Sequence, residues 1–179
     1  VYPPGNWLSR WAVVGGTTMA QFSQLCLFFM ELNNGSTSIY TRVAITTLAM
    51  VSILGLTIVG CVNEEEDATI HYIGALIFFV GYSLYMVFHS YLVDDPLPSV
   101  WQKAKAITST VLTFVRYFLL AYIVPGADFH SLLTRTAKVG DFGESAIAVI
   151  EWVTTVIIVS YFYWSIKRLG NTSMQTGLA

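Results

Sequence analysis

Five long apolar stretches, near 10–30, 42–62, 69–92, 104–124 and 145–166, take up most of this 179-residue chain. Few ionisable side chains lie inside them, most notably Arg116 and Glu151. Each stretch approaches or reaches the ~20 residues that an α-helix needs to cross a hydrocarbon core about 30 Å thick. A bilayer offers no water to unpaired backbone groups, so closed helices are the expected solution. Composition agrees: 55% of residues are apolar and 11% are charged, against about 25% charged in an average soluble domain. That leaves too little polar surface to cover a soluble globule. The expectation is an all-α membrane fold, a polytopic helix bundle forming one transmembrane domain over 1–179 with five spans visible.

The connections are short except for the last. Residues 31–41 contain Asn33-Asn34-Gly35-Ser36, a turn signature. Residues 63–68 carry the acidic hairpin Glu64-Glu65-Glu66-Asp67. In the third connection, Asp94-Asp95-Pro96-Leu97-Pro98, the prolines stop one helix before Lys103 and Lys105 open the next. The longest covers 125–144. Arg42, Lys103, Lys105, Lys167 and Arg168 fall on one side of the membrane; Arg10, Arg135 and Lys138 fall on the other. The positive-inside rule counts Lys and Arg rather than net charge and puts the first group in the cytosol. Val1 then begins outside or in a lumen. One further span upstream would give six helices in the intact protein, the first absent here, with both ends cytosolic. Tyr2-Pro3-Pro4-Gly5 reads as a turn. Cys26 and Cys61 should face opposite membrane surfaces, beyond the ~7 Å limit for a disulfide, as free buried thiols.

Arg116 lies about 12 Å below the outer end of the fourth span and Glu151 about 9 Å below the outer start of the fifth, at the usual helical rise. Antiparallel neighbours would bring them level. A lone charge near a helix centre costs at least ~2.5–3.5 kcal/mol, which pairing reduces, so an Arg116–Glu151 ion pair facing the bundle interior is expected. It would either fix helix register or contact a lipid headgroup or ligand. His71 opens the third span on the same side, and His71, Arg116 and Glu151 form a candidate polar cluster. A histidine beside a carboxylate suits a general base or a metal ligand. His89 and His130 lie elsewhere and no cysteine sits at ligand spacing, which favours a capping or structural His71. No metal and no cofactor is expected.

The acidic hairpin lacks the alternating Asp/Asn and the glycine of a calcium loop. No nucleophile elbow and no phosphate-binding glycine loop is present. With a net charge of −2 and no basic run, nucleic acid is not an expected partner. Small residues suggest packing faces: Ala12, Gly16 and Ala20 on the first span, Gly74 and Gly81 on the third. Such surfaces let membrane helices approach closely. Internal packing is the simplest use, and the first-span stripe could instead receive an upstream helix. Tyr161-Phe162-Tyr163-Trp164 before Lys167, and Trp101 beside Lys103, read as interfacial aromatics.

Ile70-His71-Tyr72-Ile73-Gly74-Ala75-Leu76, then Phe78-Phe79 and Gly81-Tyr82-Ser83-Leu84-Tyr85, resembles the His-x-x-Gly-Ala helix of the damage-regulated autophagy modulators (DRAM) and their relatives. Ala148-Val149-Ile150-Glu151-Trp152 is similar to that family's Glu-Trp helix, and Tyr2-Pro3-Pro4 to the proline pair ending its first extracytosolic loop. The resemblance covers nearly the whole chain. It implies a six-helix bundle and carries over His71 and Glu151, while Arg116 matches no motif. At Gly5 the chain departs from relatives that continue with an acidic residue. Relatives are linked to lysosomal modulation of autophagy, to recruitment of a phosphoinositide kinase at the plasma membrane, and to remodelling of GPI-anchor lipids. A shared fold does not choose among these.

The expected role is a non-enzymatic, lipid-sensing scaffold, regulator or accessory subunit in a lysosomal, endosomal or plasma membrane. Its partners would be membrane lipids, and proteins meeting the cytosolic loop, the C-terminal tail or a helix face. The alternatives are a lipid-modifying enzyme of GPI-remodelling type using His71 and Glu151, and a small transporter or pore. A pore is disfavoured because polar residues cluster toward the span ends. The orientation has a direct check: Asn34-Gly35-Ser36 and Asn171-Thr172-Ser173 fit the glycosylation pattern yet should face the cytosol. Neither should carry glycan in cell-derived protein, and an endoglycosidase-sensitive glycan on Asn34 would reverse the assignment.

Overall fold

The computed structural model describes residues 4–34, 37–62, 66–93, 100–123 and 141–176. These form five helices: α1 Pro4–Asn34, α2 Ile39–Cys61, α3 Ala68–Leu92, α4 Val100–Ile123 and α5 Asp141–Thr176. Tyr2-Pro3, Gly35-Ser36, Glu64-Glu65, the Asp94-to-Pro98 run, and the long connection with His130, Arg135 and Lys138 lie outside the described residues. So do the side chains of Asn34, Arg168 and Asn171.

Helix ends follow local chemistry. Pro4, expected in a turn, opens α1, where its missing N–H would have had no helical partner. Asp67 accepts a hydrogen bond from Ile70 N at 3.0 Å, so the acidic hairpin ends as the cap of α3. The first connection is shorter than expected, because α1 continues to Asn34 and takes Glu31 into its last turns.

The molecule is a polytopic helical membrane protein. Four helices are long and apolar enough to cross a bilayer, over Arg10–Leu32, Ile39–Cys61, Ala68–Leu92 and Ala146–Lys167. Five were expected. The exception is α4, whose 24 residues suffice in length but include Gln102, Lys103, Lys105, Ser109, Thr113 and Arg116. Its exposed side is apolar, with Ile107, Val111, Phe114, Val115 and Phe118, whereas Gln102, Ser109, Thr113 and Arg116 are buried. Averaging along the sequence mixes the two faces.

Consecutive helices run antiparallel. Thr57 Oγ1 donates to Thr17 Oγ1 at 2.9 Å between α1 and α2, and Arg42 at the start of α2 lies near Glu31 at the end of α1. Ser83 meets Ser109 at 2.8 Å between α3 and α4, with Lys103 over Tyr91 at one end and Arg116 over Phe79 nearer the other. The last helix, α5, packs on α4, α1 and α3, which closes the ring of helices. The core is dominated by α3, with Ala75, Phe78, Phe79, Tyr82, Tyr85 and Met86, against Ile45, Ala49 and Ile53 of α2 and Ile158 and Tyr161 of α5.

Glycines decide how closely α2 and α3 meet. A Cβ on Gly55 would lie 2.6 Å from Gly74 O and 2.8 Å from Phe78 N, and one on Gly81 would collide with Ser52 Oγ. Gly74 and Gly81 therefore sit in the α2–α3 seam. The first-span stripe behaves differently: Ala20 packs against the core, but Ala12 and Gly16 face outward, with nothing within 4 Å of a Cβ on Gly16. The inward face of α1 is Val13, Thr17, Ala20, Gln24, Leu27 and Glu31, one position round from the stripe. Both cysteines are free, but Cys26 is exposed rather than buried and Cys61 is intermediate.

Gly55→Ala should therefore destabilise the bundle by about 1–3 kcal/mol, the usual range for overpacking. Gly16→Ala should be neutral or stabilising by up to ~1 kcal/mol through helix propensity. Thermal unfolding in mild detergent measures both, and equal melting temperatures would contradict the seam.

Candidate functional site

Polar side chains enter the bundle at two levels. Toward the end where α4 finishes and α5 begins, Arg116 Nη2 pairs with Glu151 Oε1. The guanidinium is 3% exposed and the carboxylate 35%, so the pair runs from the interior to the bundle surface. Arg116 lies 4.8 Å from the centre of the Phe79 ring and 4.9 Å from that of Tyr117, and Nη1 donates to the Tyr117 hydroxyl at 3.1 Å. Aromatic faces stabilise a desolvated cation. The arginine is held on three sides while its Nε is buried without an acceptor among the described residues.

His71 does not join this pair. Its Nδ1 meets the Val62 carbonyl at 2.8 Å, linking the end of α2 to the start of α3, and its ring packs edge-on against Tyr72. The separation follows from register. Arg116 is level with Phe79, eight residues along α3 from His71, or about 12 Å at the helical rise. Among the described residues, no group of three His, Cys, Asp or Glu side chains could hold a metal ion.

The second level is at the opposite end and is not among the expected site residues. Glu31, on α1, accepts a 2.6 Å hydrogen bond from His89 Nε2 on α3. His89 Nδ1 meets the Tyr161 hydroxyl of α5 at 2.8 Å, which meets Ser90 Oγ at 2.8 Å. With a neutral imidazole the order is fixed: Nε2–H donates to the carboxylate, and Nδ1 accepts from the phenol. Arg42 of α2 places Nη1 3.9 Å from Glu31 Oε2, within ion-pair range but beyond hydrogen-bond reach. Nearby, Gln24 Nε2 donates to the Tyr85 hydroxyl at 2.9 Å. One carboxylate thus joins α1 to α2 and α3, and the histidine extends the network to α5.

Helical spacing could have revealed this cluster. Thr17, Ala20, Gln24, Leu27 and Glu31 fall at i, i+3, i+7, i+10 and i+14, one continuous helical face. The expected helix ends put Glu31 in a connection, and Arg42 enters the sequence argument only as a marker of membrane side. Between the two levels, Ser83 Oγ meets Ser109 Oγ at 2.8 Å and Thr113 Oγ1 at 3.2 Å. Buried polar groups therefore occur along the bundle as well as at its ends, contrary to the expected clustering.

A family model described as the Frag1/DRAM/Sfk1/Cwh43P N-terminal domain matches residues 10–167, from the early part of α1 to the last part of α5. The chain belongs to this family. Neither a curated protein nor a solved structure matches it. Within the Frag1/DRAM/Sfk1 domain, His71 and Glu151 have separate partners, and the network around Glu31 is a further arrangement of polar groups.

Removing the shared carboxylate leaves a buried arginine without its counter-charge, a loss that typically costs about 3–5 kcal/mol. Glu31→Ala should approach that figure. Glu66→Ala, which breaks the more exposed Arg10–Glu66 bridge of 2.6 Å, should cost about 1 kcal/mol or less. Similar losses of thermal stability for both variants would mean that Glu31 is not central to the network.

Proposed function

We propose that this member of the Frag1/DRAM/Sfk1 family is a non-enzymatic, lipid-sensing scaffold or accessory subunit, with α4 serving as a fifth span. The supporting observation is the separate engagement of His71 and Glu151. His71 holds the Val62 carbonyl and Glu151 holds Arg116. A general base must lie within hydrogen-bond reach of the proton it removes, and a histidine–carboxylate pair acting together must first converge. These two are separated by register. The inward polar face of α4 fits a fifth span because Ser109, Thr113 and Arg116 all find partners on α3, α4 or α5.

Arg116 and Glu151 act in this reading as a register lock that reaches the bundle surface through the half-exposed carboxylate. The small hydroxyls in mid-bundle satisfy one another and are almost fully buried, as in a packed seam rather than a water path. Lipid contact falls to the broad exposed apolar faces and to the bundle ends.

Protein purified in mild detergent and analysed by mass spectrometry should carry bound phospholipid. Incubated with labelled phospholipid or GPI-anchored substrate vesicles, it should leave their acyl composition unchanged over time. Time-dependent conversion that His71→Ala or Glu151→Gln abolishes would replace the scaffold reading with the enzymatic one.

A further inference from the structure

Arg42 lies one turn into α2 and is 2% exposed. Its Nε–H donates to the Thr37 carbonyl at 3.3 Å, which folds the side chain back along the start of its own helix. Among the described residues neither Nη1 nor Nη2 has a hydrogen-bond acceptor. Glu31 does not supply one: Oε1 is taken by His89 at 2.6 Å, and Oε2 stands 3.9 Å from Nη1. A permanently charged fork of donors is therefore held in place and left unsatisfied.

A second set of donors lies beside it. Ser38 precedes α2 without a side-chain capping bond, and the first backbone hydrogen bond into Ser38 O comes from Arg42 N. The N–H groups of the opening turn have no partner inside the helix, and the helix dipole makes that end attractive to anions. Because Arg42 folds back, its guanidinium and these amides share one end of α2. Ile39, Tyr40 and Val43 around them are exposed, at the level where a spanning helix meets lipid headgroups. At the same end, Thr37 Oγ1 donates to the Leu92 carbonyl at 3.4 Å, and Lys103 sits over the neighbouring Tyr91 ring. A planar guanidinium matches phosphate oxygens two at a time.

We propose that Arg42 and the opening turn of α2 bind a phosphate group, carried by an anionic phospholipid headgroup or free in solution. This rests on the lipid-sensing reading and names its ligand chemistry. The phosphate would accept from the arginine's terminal nitrogens and the opening-turn amides, in the leaflet facing the start of α2. Glu31 opposes it as a like charge and tunes its affinity.

The test uses the intact chain in mild detergent, titrated with short-chain phosphatidylserine, phosphatidylinositol and phosphatidylcholine, and separately with sodium phosphate. Binding is read by native mass spectrometry and melting temperature. The anionic lipids should bind on the order of tenfold more tightly than phosphatidylcholine, and Arg42→Gln should abolish that preference. Arg42→Lys should keep part of it, and Arg10→Gln, at the other end of the bundle, should keep it all. Glu31→Gln should strengthen anion binding several-fold, opposite to the effect of losing a purely structural partner. Full displacement of lipid by sodium phosphate would identify the free anion as the source; no displacement would identify the headgroup. An unchanged preference in folded Arg42→Gln overturns the site but leaves the lipid-sensing reading standing, whereas failure of every lipid to bind removes both. If Arg42→Gln does not fold, weaker or unchanged anion binding by Glu31→Gln overturns the site.

Discussion

The hydrocarbon core of a bilayer supplies no hydrogen bonds, so polar groups carried into this bundle are drawn to partners on their own or neighbouring helices, with the terminal nitrogens of Arg42 and Nε of Arg116 as exceptions among the described residues. The solutions are graded by charge. Hydroxyls are satisfied locally: Thr17, Ser52, Thr110, Thr154 and Thr155 donate to the carbonyl four residues earlier. Ser83 reaches across to Ser109 and Thr113. Charged groups require other helices. Arg116 uses Glu151 and two aromatic faces, while Glu31 is shared by His89 and Arg42. The absence of a hydrophobic drive between helices explains the companion feature, the close backbone approach at Gly55 and Gly74.

The class of fold is legible from length and hydropathy, because a run of apolar residues as long as a bilayer is thick has few alternatives. The Arg116–Glu151 juxtaposition is also legible: two depths counted from helix ends locate both groups without reference to any other contact. Counting fails for Glu31 and Arg42 because both lie near an apparent loop. There an ionisable residue looks solvated unless the helix is known to continue, and α1 does continue to Asn34. The small-residue stripe misleads for another reason. Ala12, Gly16 and Ala20 share a spacing that suits packing, but the inward face is decided by Val13, Thr17, Gln24 and Leu27 on the neighbouring row. His71 illustrates the limit of a motif, since position in a sequence pattern does not fix depth relative to another helix.

The helix α3 connects these arrangements. It packs against α2 at the glycine seam, against α4 through Ser83 and Phe79, and against α5 through His89 and Tyr161. Its aromatic row, Phe78, Phe79, Tyr82, Tyr85 and His89, lies in successive ring contact. Dense packing of this kind transmits displacement rather than absorbing it. Whatever meets the Arg42 end is therefore coupled through rigid neighbours to the rest of the bundle, which fits the proposed lipid-sensing role.

The inverted pattern of α4 also bears on how the protein is made. Its buried face carries Gln102, Ser109, Thr113 and Arg116, so as an isolated segment it would present an unpaired arginine to hydrocarbon at a cost of at least ~2.5–3.5 kcal/mol. The counter-charge, Glu151, lies on α5 and is synthesised later. During biogenesis α4 would have to wait near the translocon, or at the interface, until the following helix emerged. As the proposed fifth span, α4 would then enter the bilayer with α5 as a hairpin, settling against an α1–α3 core already in place.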